Sequence, residues 1–156
     1  MNPRRRGQPD TAERLLATAI RLFASKWYGT VSVAEICREA GLSNGIFYRY
    51  FDGKETLFKV ILGRVLDQIR EALAGAQGST PEARVRAMAE AMYRFSSEQG
   101  DLVNVFREGQ YRHFDYERRL AELYQGALAA ALGREVDEAD YLFAFGSLRF
   151  CAIRWA

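Results

Sequence analysis

A chain of 156 residues, 49% of them apolar, is about one domain long and holds enough apolar material for a real core, so a compact unit is expected. Two cysteines, Cys37 and Cys151, and a single histidine, His113, cannot assemble a zinc site; with no apolar run near the roughly 18 residues of a membrane span and no signal-peptide core behind MNPRRRGQ, a soluble cytoplasmic protein without a membrane partner is expected. The net charge of +2 hides an asymmetry: residues 1–60 hold ten Lys and Arg against six Asp and Glu, the remainder twelve against fourteen, and a positive excess confined to the front suits a phosphate footprint as well as it suits ordinary solvated surface.

The basic arm, residues 1–9, is expected to be disordered, either a solubilising tail or a segment that touches nucleic acid. Asp10 and Glu13 have the spacing of a capping box. Leu15, Leu16, Ala19, Ile20, Leu22 and Phe23 then recur at helical spacing, which predicts a first helix to about Lys26. Ser32 and Glu35 form a second capping box, opening a short helix that must end at Gly41. Ser43 is the next N-cap candidate and opens a third helix over 43–50, and Asp52-Gly53-Lys54-Glu55 starts a long fourth running to about Ala76. GAQGST, residues 75–80, is the clearest break, two glycines followed by a threonine cap and Pro81 at the first helical position. Behind it the periodicity predicts helices over 81–98, near 101–112, near 115–132 ending at Gly133, and from Asp137 onward. That last stretch stays apolar to the final residue, and its small residues Ala144, Ser147, Cys151 and Ala152 make a face that permits close helix packing. No strand pattern competes. The expected fold class is all-α: an N-terminal three-helix helix-turn-helix domain, 1–53, joined by a long helix to a C-terminal helical domain, 54–156.

Residues 32–50 have the format of a helix-turn-helix, a capped helix, a tight Ala40-Gly41-Leu42 turn and a second short helix. Glycine at 41 permits the positive φ that such a turn demands, while Ile36, Leu42 and Phe47 supply the wedge between the helices. If Phe47 and Phe51 point inward, four apart, then Asn44, Gly45, Tyr48 and Arg49 point outward, with Ile46 and Tyr50 flanking. An amide, a glycine, a phenol and a guanidinium on one face have the donors that a DNA groove requires. The competing reading is a solvated helix in an unrelated bundle.

The stretch TVSVAEICREAGLSNGIFYRYFDGKETLF resembles the DNA-binding domain of the TetR family of bacterial transcriptional repressors, a likeness that covers about residues 10–60. It implies a homodimer of all-helical subunits on double-stranded operator DNA, reading by the helix at 43–50, and a small-molecule effector bound in the back half. Residue by residue, it puts Ser32 and Tyr48 on phosphates, Tyr50 where the family often has a phosphate-binding histidine, and Lys54 on the DNA backbone. Ser43, Asn44, Gly45, Ile46 and Arg49 take the positions that reach base edges or adjacent phosphates. Trp27 departs from the family, whose first helix usually ends with Gly, so the SKWYGT loop is expected to run differently; Cys37 replaces the common Ala. In the family two C-terminal helices of each subunit form the dimer interface, and here the last of them is expected to be lacking.

In the back half, Val105, Phe106, Tyr111, Leu120, Leu123 and Tyr124 fall at helical spacing and mostly read as core. A TetR-like fold walls its pocket with these helices, so Phe95, Phe106, Gln110, Tyr111, Tyr141 and Phe145 are the expected lining, suited to an apolar or aromatic effector. Arg107, Arg112 and His113 either pair with a ligand carboxylate or phosphate or are surface charges. No cofactor and no metal is expected. An enzyme would need a nucleophile with a base, or a metal cluster, and one histidine without an acidic dyad or Gly-rich phosphate loop leaves nothing to build a catalytic site from. The alternative to an effector-released repressor is an effector-independent DNA-organising or division-linked protein of the same fold.

Overall fold

The computed structural model describes residues 11–112 and 114–155, without the side chains of 110–112, 114, 145 and 148–155. The basic arm, Asp10 and His113 lie outside the described residues. All regular structure among those described is helical: α1 (Thr11–Ser25), a 3-10 turn at Tyr28–Thr30, α2 (Val33–Ala40), α3 (Asn44–Phe47), α4 (Lys54–Ala74), α5 (Pro81–Glu98), α6 (Gly100–Arg112), α7 (Phe114–Leu132) and α8 (Glu138–Trp155). Packing divides the chain into two compact units, Met1–Ile61 and Leu62–Ala156, with the division inside α4. The GAQGST stretch forms the loop between α4 and α5 of the second unit.

In the first unit α1 packs on α2, and α2 on α3. The apolar stripe of α1 (Leu15, Leu16, Ala19, Phe23), the inner face of α2 (Ile36, Cys37, Ala40) and Phe47, Phe51, Leu57 and Phe58 are all buried. Burying each large member of this set contributes about 1.5–3 kcal/mol. Ser32 caps α2 as expected, its Oγ accepting from Glu35 N at 3.1 Å. At the other end Gly41 adopts φ 65°, with Gly41 N donating to Arg38 O at 3.1 Å and Leu42 N to Cys37 O at 2.8 Å. This is a Schellman end, and it needs a residue that tolerates the left-handed region. Arg14 of α1 reaches across to donate to Ala40 O at 2.6 Å, placing a cation on the carbonyl end of α2.

The third helix is shorter than the 43–50 expected. It makes one α-turn, Asn44–Phe47, after which Arg49 N bonds to Ile46 O at 3.2 Å and Tyr50 N to Phe47 O at 3.0 Å in tighter i to i+3 geometry. Ser43 holds the N-cap backbone position but makes no side-chain cap bond.

The second unit is a helical cluster in which α5 packs on α6, α7 and α8, and α7 on α6 and α8. Its core draws on Leu62, Val65, Leu66, Ile69, Met88, Met92, Val105, Leu120 and Leu128. The sequence signals for its helix starts hold: Thr80 Oγ1 accepts from Ala83 N at 3.2 Å with Pro81 behind it, and Asp137 Oδ1 accepts from Asp140 N at 2.7 Å. Gly109 is buried against Leu62, and a Cβ there would collide with the Leu62 methyl carbons, so α6 sits closer to α4 than any other residue allows. On α8, Leu142 and Phe143 stand 58% and 80% exposed. Of its small-residue face, Ala144 is half-buried and Ser147 exposed, while Cys151 and Ala152 lie outside the described side chains.

Since a Cβ at Gly41 meets only Arg14 Nη2, at an ordinary 3.5 Å, the cost of Gly41→Ala is the left-handed backbone alone. Urea denaturation should show a loss of about 1–2 kcal/mol, with Gly41→Asn losing less; equal stability of Gly and Ala variants would mean that the turn relaxes.

Candidate nucleic-acid interface

Around α3 the inward and outward sets separate cleanly. Phe47 and Phe51 are 0% and 6% exposed, whereas Ser43, Asn44, Gly45, Tyr48, Arg49 and Tyr50 are exposed and Ile46 is half-buried. The Tyr48 ring stands edge-on to Phe47 with centroids 5.3 Å apart, so a buried ring steadies an exposed phenol. Nothing inside the unit requires glycine at 45, because a Cβ would meet only Ser43 Oγ at 4.0 Å. Ser32 lies exposed at the start of α2, and its hydroxyl, already accepting from Glu35 N, can still donate.

Lys54 also makes contacts inside the unit. Its ammonium donates to Tyr28 O at 2.7 Å and Val31 O at 2.6 Å, and it lies 4.2 Å from the centroid of the Tyr28 ring. Two of its three hydrogens thus hold the loop between α1 and α2 against the start of α4. That loop is the SKWYGT segment, and it closes as a 3-10 turn in which Thr30 N and Oγ1 both donate to Trp27 O, at 2.9 and 2.8 Å. Trp27 itself is 76% exposed. Its neighbour Tyr28, which sequence reasoning passed over, is the organising residue: buried among Phe23 and Phe58 with centroids 5.3 and 4.7 Å away, and donating its hydroxyl to Glu55 Oε2 at 2.9 Å. The available signal was a lone aromatic pair in a loop otherwise made of small and polar residues.

Lys26 Nζ meets Glu35 Oε1 at 2.5 Å, and this hydrogen bond, with the charge behind it, holds the Glu35 carboxyl below its ordinary range. The Cys37 thiol is buried, and desolvation pushes its pKa up, as suits a packing residue.

In the second unit, Phe95, Phe106 and Tyr141 are half-buried, while Gln110, Tyr111 and Phe145 lie outside the described side chains. Beside Phe106, whose ring centroid is 5.8 Å away, Tyr116 is 4% exposed and its hydroxyl has no hydrogen-bond partner among the described residues. Burial pushes its phenol pKa up. Arg107 bonds Asn104 Oδ1 at 3.0 Å on the surface, and Arg112 and His113 lie outside the described side chains. The unit also holds a cavity of about 640 Å³ between α4, α5 and α7, and Phe95, Phe106 and Tyr141 are not among its described lining residues. Its walls include Leu66, Leu73, Met88 and Leu123, together with Arg70, Arg84 and Arg119.

Residues 15–61 match the family model described as bacterial regulatory proteins, tetR family. The chain is 25% identical over 138 residues to the HTH-type transcriptional regulator YerO of Bacillus subtilis strain 168, covering 80% of this chain and 48% of that one. It is 27% identical over 168 aligned positions to the HTH-type transcriptional repressor KstR2 of Rhodococcus jostii strain RHA1, covering 96% of this chain and 81% of that one. The chain therefore spans about half the length of the first of these relatives. A solved TetR-like transcriptional regulator from Rhodococcus sp. RHA1 superposes with a TM-score of 0.79 at 19% identity, over 97% of this chain and 85% of its own, a likeness of fold.

The Lys54 latch predicts that Lys54→Ala lowers the unfolding free energy by about 1–3 kcal/mol through two unpaired carbonyls, read by urea denaturation. Wild-type stability in the variant would show that water satisfies both carbonyls equally well.

Proposed function

We propose, for a chain that belongs to the TetR family of bacterial regulatory proteins, that it is a DNA-binding transcription regulator, and more narrowly a repressor released from its operator by a small apolar or aromatic effector. The observation that carries the reading is the face of α3, where Asn44, Gly45, Tyr48 and Arg49 are all exposed on a turn whose other side is buried at Phe47. In this reading Arg49 and Asn44 meet base edges, with Ser43 and Ile46 beside them, and Gly45 lets the backbone approach the groove floor. Ser32, Tyr48 and Tyr50 take phosphates, and the Lys54 charge adds to the same field while its hydrogens hold the loop.

A pseudo-palindromic operator is expected to bind two subunits whose α3 turns lie about 34–36 Å apart, one helical turn of DNA. The exposed Leu142 and Phe143 of α8 support assigning dimerisation to residues 54–156, with 1–53 assigned to DNA. Among the described residues no helix is long and apolar enough to cross a membrane, which accords with work in the cytoplasm. Phe95, Phe106, Gln110, Tyr111, Tyr141 and Phe145 are the proposed walls of the effector site. Tyr116 joins them, because a buried hydroxyl without a partner among the described residues, beside Phe106, is where a ligand acceptor would gain most. The rival reading, an effector-independent DNA-organising protein, is separated by titrating the operator complex with metabolite pools: release supports the repressor, and indifference to every pool supports the rival.

Arg49→Ala should cost about 1–3 kcal/mol on the selected operator and much less on random DNA, because a bidentate base contact discriminates. Binding-site selection on the variant reads this directly. Unchanged preference at every position would move Arg49 to the phosphate set and leave Asn44 and the Gly45 backbone as readers.

Tyr116→Phe removes a buried hydroxyl that has no hydrogen-bond partner among the described residues, so stability should hold or rise, by about 1 kcal/mol at most. Effector-driven release should meanwhile need more ligand. A destabilised variant would show that the hydroxyl already has a partner.

A further inference from the structure

Among the described residues the first unit exposes three aromatic rings, Trp27, Tyr48 and Tyr50, at 76%, 57% and 45%. The two tyrosines belong to the α3 face already read as meeting DNA. Trp27 stands elsewhere, at the head of the 3-10 turn between α1 and α2, and is the most exposed of the three.

Its base is fixed. The Trp27 carbonyl accepts from both Thr30 N and Thr30 Oγ1, at 2.9 and 2.8 Å, and the next residue, Tyr28, is buried and donates to Glu55 Oε2 at 2.9 Å. Along the loop Tyr28 and Val31 are buried while Trp27, Thr30 and Ser32 are exposed. Lys26, one residue before the indole, pairs with Glu35 on the first turn of α2, and Glu35 N donates to Ser32 Oγ. Trp27 and the Ser32 hydroxyl thus share one end of α2, at most about 13 Å apart by chain path.

The charge at this edge suits a polyanion. From Ala24 to Ala34 the chain carries one lysine and no carboxylate. The two acids beside the loop are both occupied, Glu35 by Lys26, and Glu55 by the Tyr28 hydroxyl and by Lys59 at 3.7 Å. In a helix-turn-helix the first helix crosses the DNA backbone while the second enters the groove. α2 is that first helix, so the edge at its start meets sugar and phosphate rather than base edges. An indole fits such a surface: its ring covers the apolar face of a deoxyribose, and its N–H, a donor only, matches a phosphate oxygen, an acceptor only.

We propose, on the same DNA-binding reading, that Trp27 is a backbone contact at the rim of the footprint, its ring on a deoxyribose and its Nε1 donating to the adjoining phosphate. It adds affinity without choosing sequence.

The test uses the full chain with two duplexes of equal length, one recovered by binding-site selection on the wild type and one of random sequence. Trp27→Ala should weaken both by the same factor, about tenfold, and Trp27→Phe, which keeps a ring and loses the N–H, by about threefold. Because no charge is removed, the slope of log affinity against log salt should stay that of the wild type. Unchanged affinity in Trp27→Ala, a loss confined to the selected duplex, or a flattened slope overturns the proposal. A second measurement uses the native ring. The chain has two tryptophans, Trp27 and Trp155, so subtracting the emission of Trp27→Phe from that of the wild type isolates Trp27. Its emission should be open to acrylamide quenching in the free protein and protected once either duplex is bound. Continued quenching in the bound state overturns the contact and leaves the α3 reading intact. Protection that grows with protein concentration in the absence of DNA overturns it too, assigning the indole to a contact between copies. A wild type that binds neither duplex removes the α3 reading and the proposal together.

Discussion

A helix of four residues cannot hold its own shape in water, since fixing the first turn costs more than one hydrogen bond returns. α3 is such a helix, and what keeps it is the burial of Phe47, with Phe51 returning to the core one turn later. Every outward residue is placed by these inward ones. Tyr48 follows Phe47 directly and leans on its ring, and Asn44, Gly45 and Arg49 point away because the phenylalanines cannot. The exposed face therefore has the rigidity of the core behind it. The same wedge, with Ile36 fully buried and the left-handed Gly41 closing α2, sets the angle at which α3 leaves the turn.

The loop ahead of α2 is fixed by a different kind of force. Tyr28 is buried in an aromatic cluster, its hydroxyl tied to Glu55, and Lys54 binds the carbonyls of Tyr28 and Val31. Those two carbonyls lie outside the α-helices and would otherwise need another donor or water. By satisfying them the start of α4 positions the start of α2, and with it Ser32. One lysine thus couples structure and surface potential: its charge adds to the positive front of the chain while its hydrogens organise the loop.

In the second unit the helices are held by aliphatic and methionine side chains, and by one close approach where Gly109 admits Leu62. Two polar features stand beside this apolar packing. Among the described residues the Tyr116 hydroxyl is buried without a partner, and Arg70, Arg84 and Arg119, from three helices, line one cavity.

What the sequence by itself determined was the local grammar. Ser32 with Glu35, Thr80 with Pro81, Asp137 and Gly41 are start and stop signals whose chemistry acts within a few residues, and the helices begin and end at or near them. The outward set on α3 was legible for the same reason, since helical periodicity over a single turn separates Phe47 from Asn44 and Arg49. Where the outcome depends on residues far apart in the chain, only the tertiary structure decided. It shortened α3 to one turn, turned Lys54 toward the Tyr28 and Val31 carbonyls, and made Tyr28 rather than Trp27 the anchor of its loop. It brought Arg70, Arg84 and Arg119 around one cavity. Periodicity can tell which side of a helix is apolar, but which helices share a cavity and which carbonyls a long cation finds are set by packing between segments, and that information exists only once the chain is folded.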